Sequence, residues 1–200
     1  MSAQEHGAFH VRSVAVIGAG SAGRAFAFRC AGAGLQVVLE DVMPSNLRRA
    51  QDEYAEFVAV AGATGSLRYA GTVEDAVHDA DLAIDFVPDE LESKLEIFSL
   101  LDRMAPPRTI LCTPTRALSI TDLASCTYRS ERCVALRGET ANLLEGELAI
   151  VRSRFLEAPV VDAVRDFLRD IGIASQLVSD TEEPMLVKNA GSRVVLPDHL

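Results

Sequence analysis

The chain has 200 residues, a length that fits one ordinary domain with a short appendage and leaves no room for two full ones. At 48% hydrophobic, 24% charged and a mean hydropathy of +0.16, it can bury a sizeable core and is no disordered polymer. Nineteen basic against 29 acidic residues give a formal charge of −10 and a pI near 4.8, which excludes general nucleic-acid binding but leaves room for a local anion site.

In chain order, residues 11–17 (VRSVAVI) read as a buried strand and residues 21–34 as a helix closed by glycine. Residues 36–40 form a second strand. A helix then starts at Pro44, where proline loses no hydrogen bond, and runs to about Gly62. A short strand over 67–70 precedes a capping box, Thr72 with Asp75, for a brief helix through Asp79. Residues 81–87 (DLAIDFV) are a strand, and 90–104 a helix stopped by Pro106-Pro107. Further strands are expected over 109–113, 132–136, 147–151 and 173–178. Between them come a capped ITDLAS segment after Ser119 and an amphipathic helix over 159–171 ending at Gly172. The tail from Pro184 is a further helical candidate. This alternation predicts a single α/β domain of the doubly wound, Rossmann type, with a mainly parallel sheet covered on both faces.

The cysteines, Cys30, Cys112, Cys126 and Cys133, have neither C-x-x-C spacing nor histidines at metal-ligand spacing, so no metal is expected. Three of them lie in or beside apolar runs, as reduced core thiols of a cytoplasmic protein do. No apolar run reaches the ~18 residues a membrane helix needs. The first residues lack the basic and apolar regions of a signal peptide, so a cytoplasmic location without membrane contact is expected. The four histidines are His6, His10, His78 and His199, and none lies between 79 and 198.

Chemistry enters at Gly18-Ala19-Gly20-Ser21-Ala22-Gly23, directly after the first strand and opening the first helix. The first glycine permits a tight turn, the second lets backbone approach a pyrophosphate, and the third lets helix and strand pack closely. Ser21 and Ala22 open the helix, whose N-terminus offers free N–H groups to the phosphates. Glu40-Asp41 follows about 20 residues on, where a carboxylate meets the adenosine ribose. Asp41 is the better placed of the two, and with no arginine following it favours NAD over NADP. The bland alternative is that the glycines merely shape a βα turn.

The stretch VAVIGAGSAGRAFAFRCAGAGLQVVLEDV, together with DLAIDFVPDELESKLEIFSLLDRMAPPRTILCT and ALSITDLAS, resembles the NAD-binding half of the 3-hydroxyacyl-CoA dehydrogenases. The likeness covers residues 12 to about 190. It implies a dinucleotide-binding domain over 11–182 after an N-terminal tail of residues 1–10. Residues 183–200 would be a helical tail where the family's largely helical second domain begins. The resemblance also implies NAD as cofactor, Asp41 on the adenosine ribose, and Asp89 and Lys94 near the nicotinamide. Asp89 reads equally as a helix N-cap, and Lys94 as a solvated helix face.

The departures concentrate where the family's chemistry lies. Its N-T-S-S is here Pro114-Thr115-Arg116-Ala117, so Arg116 replaces the substrate-contacting serine. Its G-L-H-F-F-N-P is here Ala135-Leu136-Arg137-Gly138-Glu139-Thr140-Ala141, so Arg137 stands where the catalytic histidine would be. The glutamate that orients that histidine falls near Ala149, with Glu147 close by; the late asparagine falls at Lys188, beside Asn189. Proton transfer needs a group that titrates near working pH, and arginine does not deprotonate in proteins. Glu139, Glu145 or Glu147 are replacement bases that spacing does not separate, so the catalytic residues stay unassigned.

The leading expectation is therefore an NAD(H)-binding relative without the standard catalytic set: a degenerate homologue (pseudoenzyme), sensor or accessory subunit. The alternative is an active NAD-dependent oxidoreductase in which Arg116 and Arg137 clamp an acyl or other anionic small molecule, unless these arginines are merely solvated or at an interface. A third reading is an interaction module with a vestigial pocket, its apolar tail forming a homodimer or docking a partner subunit.

Overall fold

The computed structural model describes residues 9–138 and 143–180. Eight strands alternate with helices. In chain order they are β1 (Ser13–Ile17), α1 (Ser21–Gly32), β2 (Gln36–Glu40), α2 (Pro44–Ala61), β3 (Ser66–Ala70), α3 (Val73–Val77), β4 (Leu82–Asp85) and α4 (Leu91–Met104). There follow β5 (Ile110–Pro114), α5 (Ile120–Ser125), β6 (Cys133–Gly138), β7 (Leu148–Arg152), α6 (Ala158–Asp170) and β8 (Ser175–Ser179). The strands form one sheet in the order β3-β2-β1-β4-β5-β6-β7-β8. Neighbouring strands are parallel except β6 and β7, which run antiparallel.

Strand side chains alternate between two cores because the pleat has period two. On β1, Val14 and Val16 join one core, while Ala15 and Ile17 join the other. The first core is closed by α1, α2 and α6 through Phe26, Ala50, Val164 and Phe167. The second is closed by α3, α4 and α5 through Val77, Phe98, Leu101 and Leu123. With helices on both faces, the strands need be apolar on both, which explains their continuous apolar runs.

Boundaries shift by a few residues from the sequence expectation. The strand expected over 81–87 ends at Asp85, and that over 132–136 starts later, after a 3₁₀ turn at Ser130–Arg132. Both capping boxes form: the Thr72 and Ser119 hydroxyls accept the N–H groups of Asp75 and Asp122. The helical tail expected from Pro184, and with it Lys188 and Asn189, lies outside the described residues, as do His6, His199 and Glu139. Among the described residues no helix is long and apolar enough to cross a membrane.

The order of strands places β1 between β2 and β4, which connect in opposite directions along the sheet. A crevice opens at their carboxyl ends, and ligands of open α/β sheets bind at such a switch point.

Candidate functional site

The glycine turn fills that crevice. Gly18 has φ +100°, a backbone conformation that favours glycine. A Cβ on Gly23 would stand 1.9 Å from the Gly18 carbonyl oxygen, so helix and strand pack as closely as they do only because it is missing. A Cβ on Gly20 would meet nothing within 4 Å. The three glycines thus divide the work into turn, open cradle and close packing, and the cradle fits a phosphate at the N-terminus of α1. Ser21 and Ala22, at that N-terminus, are exposed.

Asp41 follows β2 and is buried against the same turn. Its Oδ2 accepts the Ala19 N–H at 2.8 Å and the Asn46 amide at 3.0 Å, while Oδ1 accepts the Met43 N–H at 2.8 Å. A carboxylate offers about four acceptor sites. These contacts hold Asp41 rigidly and leave it room for one further donor. Asn46, in the first turn of α2, belongs to no sequence motif; its place five residues after Asp41 is the one local signal of contact. Glu40, beside Asp41, is buried on the α3 face of the sheet near Ile17 and Ala70, and its Oε1 has no hydrogen-bond partner. Burial, aided by the Asp41 charge, pushes its carboxyl up to about 7.

At the other end of the crevice, a cavity of about 210 Å³ is lined by Ala22, Phe86, Asp89, Lys94, Arg116 and Leu136, among others. Lys94 is not on a solvated helix face. It is 1% exposed, and its Nζ lies 2.6 Å from Oδ1 of the fully buried Asp85 at the end of β4. Burial pushes the Asp85 carboxyl up against the opposing pull of Lys94, of the Thr113 hydroxyl and of the Val87 N–H. Asp89 is not the N-cap of α4, a position Glu90 takes; its Oδ2 accepts the Arg116 N–H at 2.9 Å and so ties the loop after β5 to the loop after β4. A larger groove of about 570 Å³ lies under α3. None of residues 18–23 lines it, whereas Ala22 lines the smaller cavity.

Arg116 and Arg137 do extend from neighbouring strands β5 and β6, but they do not form a clamp. The Arg116 side chain is exposed at the rim. Arg137 is half-buried and turned toward the backbone: Nε donates to the Thr115 carbonyl at 3.3 Å and Nη2 to the Leu118 carbonyl at 3.1 Å. Arg137 pairs directly with Ala149 across the antiparallel β6–β7 ladder. The positions that the resemblance gives to the catalytic histidine and its glutamate are therefore cross-strand neighbours. Glu145 and Glu147 are exposed ahead of β7.

The family model "3-hydroxyacyl-CoA dehydrogenase, NAD binding domain" matches residues 13–175. The chain belongs to this family through its NAD-binding domain. NAD is the cofactor of that domain, and its relatives are dehydrogenases. The chain is 29% identical over 188 residues to 5-formyl-3-hydroxy-2-methylpyridine 4-carboxylate 5-dehydrogenase of Mesorhizobium japonicum, covering 90% of this chain and 60% of that protein. It is 31% identical over 138 residues to a probable 3-hydroxybutyryl-CoA dehydrogenase of Bacillus subtilis, covering 63% of this chain and 48% of the relative. A crystal structure of the pyridine-carboxylate enzyme, described as an NAD+ dependent dismutase, superposes with a TM-score of 0.75 at 27% identity, over 90% of this chain and 61% of that one. The family chain thus spans about half to three-fifths of the length of these relatives.

Proposed function

We propose that this family member holds NAD(H) at the carboxyl edge of its sheet without the histidine-assisted oxidation of a 3-hydroxyacyl group, as a sensor, accessory subunit or degenerate homologue. The observation that carries this reading is the Arg137–Ala149 pair. A guanidinium bound to two backbone carbonyls faces a methyl group, and neither accepts a proton near neutral pH. In this reading Asp41 meets the adenosine ribose, Asp89 and Lys94 border the nicotinamide cavity, and residues 11–182 act as the dinucleotide domain. A second subunit, either another copy or a partner chain in the cytoplasm, would cover the open cavity and exclude water from it.

Titrating NAD and NADH by calorimetry into wild type and Asp41→Ala tests the first half; affinity should be present in wild type and fall in the variant. Assaying NADH oxidation with acetoacetyl-CoA and short oxo acids tests the second half. Turnover that disappears in Arg116→Ala and Arg137→Ala would overturn the non-catalytic role.

A second reading is favoured by Arg116, whose exposed side chain stands at the cavity rim while its backbone is pinned by Asp89. A guanidinium so placed suits a carboxylate, and the Mesorhizobium relative carries a carboxylate in the name of its substrate. An active oxidoreductase on a small carboxylic acid would show turnover with oxo acids but not with acyl-CoA.

A further inference from the structure

Ala19, between the first two glycines of the turn, is held on both sides. Its N–H donates to Asp41 Oδ2, and its carbonyl oxygen accepts from Arg24 Nη1 at 2.8 Å. Arg24 lies in the first turns of α1, yet it is 9% exposed, unusual for an arginine. Glu53 on α2 draws it inward: Arg24 Nε donates to Oε2 at 2.7 Å and Nη2 to Oε1 at 3.3 Å, a two-pronged ion pair. Arg49 Nε approaches the same Oε1 at 3.2 Å and steadies the carboxylate from its own helix.

In a trans peptide the C=O and the following N–H point in opposite directions. Fixing the Ala19 oxygen on Arg24 therefore turns the Gly20 N–H away from the guanidinium. That N–H has no protein acceptor among the described residues, and the space around Gly20 is open. We propose that Arg24, held by Glu53, is a positioning residue that presets the Gly20 N–H for the pyrophosphate of NAD(H). It acts through the Ala19–Gly20 peptide and does not touch the cofactor. Without Arg24 the peptide rotates, the donor faces the ligand for only part of the time, and affinity falls by that fraction. This role rests on the NAD binding of the domain.

The test uses the full chain and calorimetry with NADH, with ADP-ribose (pyrophosphate without nicotinamide) and with adenosine (neither). Arg24→Leu should weaken NADH and ADP-ribose about tenfold, about 1.4 kcal/mol, and leave adenosine unchanged. Glu53→Gln should show the same ligand pattern with a smaller loss. Arg24→Lys should recover part of it, since one ammonium can reach the Ala19 oxygen but cannot also fork onto Glu53. Thermal melts establish that each variant is folded, and the two milder variants serve if Arg24→Leu is not. Unchanged NADH and ADP-ribose affinities in a folded variant would overturn the role, as would an equal loss for adenosine. Full recovery in Arg24→Lys, with a loss in Arg24→Leu that vanishes at high salt, would mean direct charge attraction and would also overturn it. A wild type that binds neither NADH nor ADP-ribose would overturn the NAD-binding reading itself, a result distinct from all of these.

Discussion

Glu40 ends β2 with a side chain that is 3% exposed, has one oxygen without a partner and adjoins the Asp41 carboxylate. In the folded chain its carboxyl ionises near 7, against 4.5 for an ordinary glutamate, which is the value the unfolded chain would show. Below both values the proton is present in both states and no penalty arises. As pH rises through 4.5 the unfolded chain loses its proton first, so the folded state binds more protons and stability falls until about pH 7. At about 1.36 kcal/mol per pH unit the full deficit would be about 3 kcal/mol. Relaxation of the surroundings around the buried charge reduces that deficit, so about 2 kcal/mol is expected. Glu40→Gln keeps the shape and removes the charge. Urea unfolding of wild type and variant should therefore coincide near pH 4.5 and diverge with rising pH. The variant should be more stable by about 2 kcal/mol at pH 8, or about 4–8 °C in Tm for a chain of this size. Titrating groups other than Asp41, whose charge couples to that of Glu40, are common to both proteins and cancel in the difference. A stability difference that stays flat with pH, or is larger in acid, would refute the assignment of Glu40 as a carboxyl kept neutral by burial.

The other expectations rest on contacts equally specific. Gly23→Ala places a methyl 1.9 Å from the Gly18 oxygen, so α1 must move off β1; NADH affinity should fall by more than tenfold and stability by about 1–3 kcal/mol, read by calorimetry and urea unfolding. Lys94→Met leaves Asp85 buried and unpaired, which should cost about 3–5 kcal/mol at pH 8, while Lys94→Met with Asp85→Leu should recover most of it. Arg129→Ala removes a guanidinium that pairs with Asp102 and satisfies the carbonyls of Asp102, Ala105 and Pro106 at the end of α4. A loss of about 3 kcal/mol is expected, with NADH affinity unchanged because the contact is far from the turn.

How much of this was legible in the sequence depends on how local each signal is. The glycine turn was legible because its demands are met within six residues: a positive φ at Gly18, an open Cα at Gly20 and contact with Gly18 at Gly23. That Asp41 rather than Glu40 reaches the glycine turn was legible from its place just past the apolar run. The burial of Lys94 could have been read too, since it shares a helical face with Leu91, Phe98 and Leu101 and Asp85 ends the preceding strand. The fate of Arg24 could not, because it depends on Glu53, 29 residues away on another helix. Nor could that of Arg137, whose guanidinium binds carbonyls 19 and 22 residues earlier. A strand pattern fixes which face a residue takes, not which loop will fold back over it.

Arg137 and Ala149 bear most directly on the proposed non-catalytic role. In the ladder they face each other, so the family's histidine and glutamate would occupy one cross-strand pair and act as one unit. Losing either partner alone would strand the other: a glutamate beside an arginine, or a histidine without its orienting carboxylate. By the resemblance, Arg137 and Ala149 stand at these two positions, with Glu147 close to the second. Arg137 also makes bonds that a histidine could not make in its place, since only a long forked side chain reaches both the Thr115 and Leu118 carbonyls. The loop it holds carries Arg116, whose N–H binds Asp89 at the cavity rim. In the proposed non-catalytic reading, Arg137 ties down the loop at the cavity rim from the position where the resemblance would put a proton acceptor. Restoring Arg137→His alone should free two loop carbonyls without regaining a paired base. Arg137→His with Ala149→Glu rebuilds the pair, and a rise in NADH oxidation with acetoacetyl-CoA in the double variant but not in either single one would show that the missing chemistry resided in that pair. Equal activity in wild type and double variant would place the chemistry elsewhere.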